Sequence, residues 1–479
     1  MTRAWYLLAG ICVLSAQAAA QAAPAGRCNL VMTTLPDARM NIIETQSADT
    51  SSRAPKPRSF FIGGGATFTC PAQSMVLIAD SAEYYEALRL VNLIGNVHYT
   101  EPRVKLNSDR LTYWQNEEHL RAEGRVDATL PTGTKMVGPV ADYYRAIAPI
   151  RTTARMVATG RPTIKIVQID SITKQPSPDT AIVIANNVDM QGDTLVNAGG
   201  KVEITRPDIV SHSDSAVMNS QREFARLLGK PVIDGRGERP FQLSGAVVDL
   251  FGKSRALERV LSSGAATMVS EDVTLTSDTL DFRMQDRLLQ QAFAWGKSRA
   301  HAVSPTYDIL SDSLYIKMPA QRLQEVRAIR DAYAQSLPDT LKVHTRERDW
   351  LRGDTIIAYF DSGAVKPRPK ATTPAAQGGK PATATKDGSG PNVRQLVALG
   401  SARSYYHIAT KDTTTMTPAI NYVTGRNIAI DFAERQVRQV SIIDKASGVY
   451  LEPAIDSSKL QKSKPPAKPA AKPATPSRP

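Results

Sequence analysis

The stretch LRAEGRVDATL, residues 120–130, alternates apolar and polar residues. Leu120, Ala122, Val126, Ala128 and Leu130 share one parity, and Arg121, Glu123, Arg125 and Asp127 share the other. A period of two is that of a β-strand with one dry face and one wet face. Gly124 stands in the middle of the dry face, where a packed strand carries a large side chain. Glycine inside a strand is costly and marks a bulge, a bend or the close approach of another backbone.

The arrangement recurs. NSDRLTYWQNEEHLRAEGRV (107–126), TSDTLDFRMQDRLLQQAFAWGKSRA (276–300) and LSDSLYIKMPAQRLQEVRAIRDAYA (310–334) each open on a small polar residue and Asp. An alternating run follows, then a polar turn, then a second alternating run. Looser copies begin near Asp80, Gly138, Asn187, Asp214, Gly245, Asp354 and Gly425, giving about ten units. The spacing predicts two strands of about six residues per unit, joined by a short turn. One hairpin does not bury its own apolar face, so neighbouring units must stack. The fold class expected is all-β: an elongated sandwich of stacked two-strand repeats, the two strands of each unit lying in two facing sheets. The segment QRLQEVRAIRDAYAQ (321–335) has Leu323, Val326, Ile329 and Tyr333 at helical spacing, but its place in the repeat predicts a strand. The three glycines of FIGGGATF (61–68) predict a strong bend and not a nucleotide loop, because no helix follows.

The recurring Asp, at positions 80, 109, 214, 278, 312 and 354, is expected just before a strand, accepting backbone N–H bonds. Carboxylates repeated in that way line one edge and do not converge on a catalytic cleft. The glycine recurs in the second strand at 95, 124, 160, 200, 229, 264, 296 and 400; Arg330 takes its place in the eighth unit. Two readings of this column are compatible. Glycine lets the sheet bend, and small residues leave room between the sheets for a long apolar guest. The inner-column candidates for lipid contact are Leu93, Gly95, Val97, Leu111, Tyr113, Leu120, Ala122, Gly124 and Val126. Ala158, Gly160, Ile164, Ala198, Gly200 and Val202 continue the series.

The formal net charge of +13 is unevenly spread. Lys366, Arg368, Lys370, Lys380 and Lys386 against Asp387 place +4 in the stretch 364–392. Six cations against Glu452 and Asp456 place another +4 in 452–479. Both stretches are rich in Pro, Ala and Lys and poor in large apolar residues, so they read as disordered. The remainder is mildly basic, which argues against a nucleic-acid partner. Arg3, the apolar run AWYLLAGICVLSA (4–16) and the small residues AQAAAQAA (16–23) read as a cleavable export signal. Its removal discards Cys12 and leaves Cys28 and Cys70. In an exported chain these suggest one disulfide, with two free thiols as the alternative.

His98, His119, His212, His301, His344 and His407 are scattered, with no pair at metal-ligand spacing. No nucleophile elbow and no phosphate loop is present. The chain is therefore expected to be no enzyme and to need no metal or cofactor. Trp114, Tyr113, Tyr143 and Tyr144 read as core or rim residues.

The strand pairs ending LIGNVHY (93–99) and LRAEGRV (120–126), with SDRLTY (108–113) between them, resemble the OstA/LptA-like proteins of lipopolysaccharide transport. VRQLVALGSARSYY (393–406) followed by TGRNIAIDFAERQVRQVSII (424–443) resembles longer OstA-like proteins. The resemblance covers residues 60–451 and is strongest over 78–144. It implies a β-jelly-roll or β-taco sandwich shielding acyl chains in a periplasmic bridge to the outer membrane. The partners implied are lipopolysaccharide or a related lipid, similar transport proteins joined by edge-strand pairing, and the outer-membrane translocon. The organisation expected is a signal peptide (1–23), a leader (24–59), OstA-like repeats (60–363), a disordered insertion (364–392), final repeats (393–451) and a disordered tail (452–479). An exported β-helix enzyme acting on polysaccharide and a structural scaffold of the cell envelope are the alternatives. The first needs a carboxylate cluster, which the sequence lacks.

Overall fold

The alternating run around Gly124 becomes one continuous strand, His119–Thr129, in the computed structural model. The structure describes residues 29–44, 57–148, 151–167, 180–236, 240–253, 256–271, 273–286, 288–338, 343–361, 393–410, 417–433 and 436–453. The expected signal peptide, the insertion 364–392 and nearly all of the tail lie outside them. The described residues form 28 strands, two short 3-10 turns and no α-helix. Every described pairing with a printed register is antiparallel, from the first hairpin to the last. A parallel β-helix, the fold of the polysaccharide-enzyme alternative, pairs its coils in parallel and is not this architecture.

The chain divides into two compact units, residues 1–233 and 234–479. In the first, Arg58–Cys70, Met75–Tyr85, Leu90–Glu101, Val104–Trp114, His119–Thr129 and Lys135–Tyr144 run as a meander, each bonded to the next. The leader expected over 24–59 contributes strands of its own: Val31–Thr34 and Arg39–Glu44 both pair with Arg58–Cys70. In the second unit the same meander runs from Ala256–Ser270 through Thr274–Gln285, Leu288–Val303, Tyr307–Lys317, Glu325–Ser336, Asp349–Phe360 and Val393–Ile408 to Ala419–Ala433. The ambiguous segment 321–335 is thus largely strand, and its helical spacing is incidental. Val326, Ala328 and Ala332 are buried, whereas Ile329 is exposed on the other face.

The long strands of the two meanders are about twice the length expected, because they bend in the middle and belong to both layers. Gly124 and Arg125 have left-handed backbone, with φ of 74° and 44°. Together they oppose the single residue Pro139, since Glu123 pairs with Val140 and Val126 with Gly138. This is a β-bulge, which bends the strand and increases its twist. Leu120 and Ala122 before the bend and Val126 and Ala128 after it are all buried. Both halves of one strand therefore turn the same side inward, and the two half-sheets cover each other. Left-handed pairs recur at 95–96, 160–161, 200–201, 229–230, 264–265 and 400–401, and Gly64–Gly65 makes the bend expected in the triple-glycine stretch. The eighth unit does without glycine, bending at Arg330 and Asp331 with φ of 64° and 41°.

The recurring Asp also lies at the bend, not at a strand start. An added Cβ on Gly124 would stand 2.9 Å from the Asp109 Cβ and 2.5 Å from its Oδ2. The Asp109 carboxylate accepts bonds from Arg125 Nε at 2.9 Å and Nη2 at 2.5 Å. Asp80 accepts from Asn96 Nδ2 at 2.8 Å, and Asp278 accepts from the backbone N–H groups of Lys297 and Ser298. Each carboxylate thus covers the left-handed corner of the next strand. The preceding serine points inward and relieves the kinked carbonyl: the Oγ groups of Ser108 and Ser311 donate to the carbonyls of Arg110 and Ser313 at 2.9 and 2.8 Å. Where the corner strand is Arg155–Thr159 and Thr163–Ile166, it is broken at Gly160–Pro162, because Pro162 has no N–H for the ladder. Cys70 is disulfide-bonded; its expected partner Cys28 lies outside the described residues.

Candidate functional site

The interior between the half-sheets is the candidate site, and the two units fill it differently. In the first unit, Phe68, Leu77, Leu93, Tyr99, Leu106, Leu111, Tyr113, Leu120, Ile164 and Leu227 are all fully buried. The layers touch across the gap. The Tyr99 ring lies 6.3 Å from that of Tyr143, and Phe68 lies 6.3 Å from Tyr84, each pair joining one half-sheet to the other. Of the expected lipid-contacting residues, Leu93, Val97, Leu111, Tyr113, Leu120, Ala122, Val126, Ala158, Ile164, Ala198 and Val202 all belong to this closed core. They face inward as the alternation predicts, but they fill the interior and do not line an opening.

Gly95, Gly124, Gly160 and Gly200 do not leave room for a guest. They sit at the corners, and a Cβ on each would meet Asp80 at 2.6 Å, Asp109 at 2.5 Å, Pro139 at 2.4 Å and Asn186 at 2.6 Å. Of the two readings of the glycine column, bending is the one the geometry uses.

A buried ionic cluster ties the strand ends of the first unit together. Arg145 donates from Nε to Glu101 at 2.7 Å and from Nη1 to Glu118 at 2.6 Å. Tyr113 donates to Glu118 at 2.7 Å, and Tyr143 donates to Glu101. The three charged side chains are less than a tenth exposed. Glu101 ends a strand in one half-sheet, and Glu118 and Arg145 flank strands in the other, so the bonds close the mouth opposite the corners. Burial pushes the Tyr99, Tyr113 and Tyr143 hydroxyls well above the ordinary tyrosine range. Burial disfavours the Arg145 charge, but Tyr99, Glu101, Tyr113 and Glu118 outweigh it and hold the guanidinium protonated. No sequence pattern announces this cluster, whose members are joined only by the pairing of strands.

In the second unit the inner residues just past the corner are small. Ala266 pairs with Ser277, Ala300 with Ser311, Ala332 with Gly353, and Ala402 with Gly425. Most are fully buried, so they fit the narrow apex where the half-sheets diverge. Farther out, Ile309, Ile316, Ala334, Leu396 and Tyr406 share the inward parity of their buried neighbours yet are only half-buried. Tyr99 of the first unit, one step past the corner, has Ala302 as its counterpart in the second, and fully buried Leu106 has Ile309, which is only half-buried. The inner face of the second unit is therefore packed tightly at the corner and less completely at these outer positions, a wedge-like taper. These positions were not in the expected set; the small residues at 266, 300 and 402 were the available signal.

Four of the six histidines are held in structural bonds. His98 bonds Asn107 at 2.7 Å, His119 bonds Asp142 at 2.8 Å, His301 bonds Asp308 at 2.6 Å and His407 bonds Asp349 at 2.8 Å, each across neighbouring strands. His119 is also stacked between Trp114 and Tyr144, with centroids at 4.7 and 4.3 Å. Among the described residues no group of His, Cys, Asp and Glu is arranged to hold a metal ion. No described helix is long and apolar enough to cross a membrane. No protein-family model matches the chain, and no curated protein sequence is significantly similar to it.

Proposed function

We propose that this protein is a periplasmic lipid-binding bridge protein that shields the acyl chains of lipopolysaccharide, or of a related lipid, on the way to the outer membrane. The observation that carries the reading is the wedge of the second unit. Half-buried apolar residues there occupy facing inner surfaces that a fatty tail would cover, and burying hydrocarbon against them is favourable by about 25 cal/mol per Å². The protein acts by shape and apolarity and is not an enzyme. The first unit is the rigid part, held shut by its ionic cluster.

The edges support assembly with partners of similar fold. Arg39–Glu44 pairs only with Arg58–Cys70 among the described residues and exposes Met40, Ile42 and Ile43. Among the described residues Ser447–Leu451 pairs only with Ala419–Ala433, and it exposes Val449, Tyr450 and Leu451. Such edges accept a further strand. Related transport proteins or the outer-membrane translocon are the partners proposed for them.

The test is detergent-free purification followed by mass spectrometry of bound lipid, for the wild type and for Ala334→Trp. The tryptophan is expected to occupy the wedge, removing most of the bound lipid while the β spectrum is kept. A wild type that carries no lipid, or an Ala334→Trp variant that carries as much, contradicts the proposal.

A further inference from the structure

The half-sheet that closes the wedge of the second unit is apolar on its outer side as well. Across Thr274–Gln285, Leu288–Val303, Tyr307–Lys317 and Glu325–Ser336, one outward row runs Asp281, Phe293, Tyr315, Arg327. The adjacent row runs Thr279, Trp295, Ser313, Ile329. Phe293, Trp295, Tyr315, Arg327 and Ile329 line an open groove of about 500 Å³. Trp295 is 39% exposed and Ile329 37% exposed in mid-sheet. The strip continues through Ile357 and Val397, which follow Arg327 in register. An antiparallel sheet with its core on one side usually turns a polar face to water on the other.

The charges around the strip are sorted by depth. Asp281 is 1% exposed, its oxygens held by Arg259 Nε at 2.7 Å and Nη2 at 3.0 Å and by Arg283 Nη2 at 3.4 Å. Glu325 is 10% exposed and bonded by Arg327. The guanidiniums are outside: Arg259 is 39%, Arg283 52% and Arg327 46% exposed. Two of them lie over aromatic rings, Arg259 5.5 Å from Phe251 and Arg283 4.6 Å from Phe293. With the acids buried and the cations presented, the surface beside an aromatic and aliphatic strip is positive. Its complement is negative charge lying over hydrocarbon.

We propose that this outer face docks on an anionic lipid bilayer, with Trp295, Phe293 and Ile329 entering the headgroup boundary and Arg283 and Arg327 reaching lipid phosphates. Aromatic residues favour that boundary, and arginines beside it are drawn to anionic headgroups. Docking would hold the protein at a membrane surface without any spanning segment.

The test is flotation of the full chain with phosphatidylglycerol-containing vesicles and with pure phosphatidylcholine vesicles. The basic stretch 452–479 is retained in every protein, so the readout is the difference between wild type and variant. Wild type is expected to float with the anionic vesicles and to be released by salt. Trp295→Ser should weaken partitioning about tenfold or more. Arg283→Gln with Arg327→Gln should weaken it about thirtyfold, about fivefold for each charge; Arg259 still holds Asp281 in that variant, so it tests the surface even if Trp295→Ser fails to fold. Arg426→Gln, which removes one charge at a corner, should lose much less than the roughly fivefold expected for one charge of the strip. Equal binding to both vesicle types, no binding, or unchanged binding by the folded variants overturns the proposal; the last result would assign binding to the basic tail, and absence of any vesicle binding would leave the strip to a protein partner.

Discussion

Gly124→Ala separates the two explanations of a glycine on the dry side of a strand. If the residue is small to admit a guest, alanine costs cargo and little stability. If it makes the corner, alanine costs stability directly. At φ of 74° a residue with a Cβ is disfavoured by about 1–2 kcal/mol. The new Cβ also lies 2.9 Å from the Asp109 Cβ and 3.1 Å from its Cγ, so the neighbouring strand must shift. Together these give about 2–3 kcal/mol, in the range stored by strained backbone positions. Gly192 supplies the control: its φ is 56° and nothing lies within 4 Å of an added Cβ, so Gly192→Ala isolates the backbone cost. Asp109→Gly combined with Gly124→Ala should recover the steric part as a coupling energy in a double-mutant cycle. The assay is thermal and urea unfolding followed by Trp114 fluorescence in a Trp295→Phe, Trp350→Phe background, which reports on the first unit. A loss of about 2–3 kcal/mol corresponds to a shift of about 5–10 °C for a unit of this size. A Gly124→Ala loss no larger than that of Gly192→Ala, or no coupling to Asp109, refutes the corner account.

Three further outcomes follow from the same geometry. Arg145→Met leaves Glu101 and Glu118 buried without their counter-ion and should cost about 3–5 kcal/mol in urea unfolding, whereas adding Glu101→Gln and Glu118→Gln to it should restore most of the loss. Hydrogen bonds from Ser298 hold the Asp278 carboxyl below its ordinary value, and Arg352 does the same for Asp331. A depressed folded pKa means that the unfolded chain binds more protons, so stability is full above pH about 4 and falls as pH drops through the folded values. Asp278→Asn with Asp331→Asn should flatten the dependence of melting temperature on pH below pH about 4; an unchanged slope counts against the corner bonds. Ala128→Trp, in the filled interior of the first unit, should prevent folding, because overpacking a dense core forces strain, whereas Ala334→Trp in the wedge should not.

The repeat was legible because its two markers, Asp109 and Gly124, are local chemistry: a left-handed corner needs glycine, and the carboxylate that covers it lies one hairpin strand away. Strand length was not legible. In the glycine strand, Leu93 and Val97 keep the same parity across the corner, so the alternation gives no sign that the chain has passed from one layer to the other. In the Asp strand the parity does slip, from Ser108 to Leu111, and that slip reads as the start of a new strand. Arg330 and Asp331 bend without glycine, helped by Arg352 Nη2 on Asp331 at 2.8 Å, a contact from the next strand that no local pattern encodes. Whether an inner face is filled is not legible for the same kind of reason. Leu, Tyr and Val on an inner face look alike whether they pack against the opposite layer or line a gap, and only the spacing of the layers distinguishes them. Glu101, Glu118 and Arg145 were silent, being ordinary charged residues at strand ends until strand pairing brings them together.

Site-specific photocrosslinking tests the central claim most directly. A photoreactive amino acid placed at Ile316, Ala334 or Leu396 in the second unit, or at Leu106 or Leu120 in the first, is irradiated in cells making lipopolysaccharide. Adducts at the second-unit positions and none at Leu106 or Leu120 are the result predicted. Adducts at Leu106 and Leu120, or none at any inner position, would contradict an open wedge beside a closed unit.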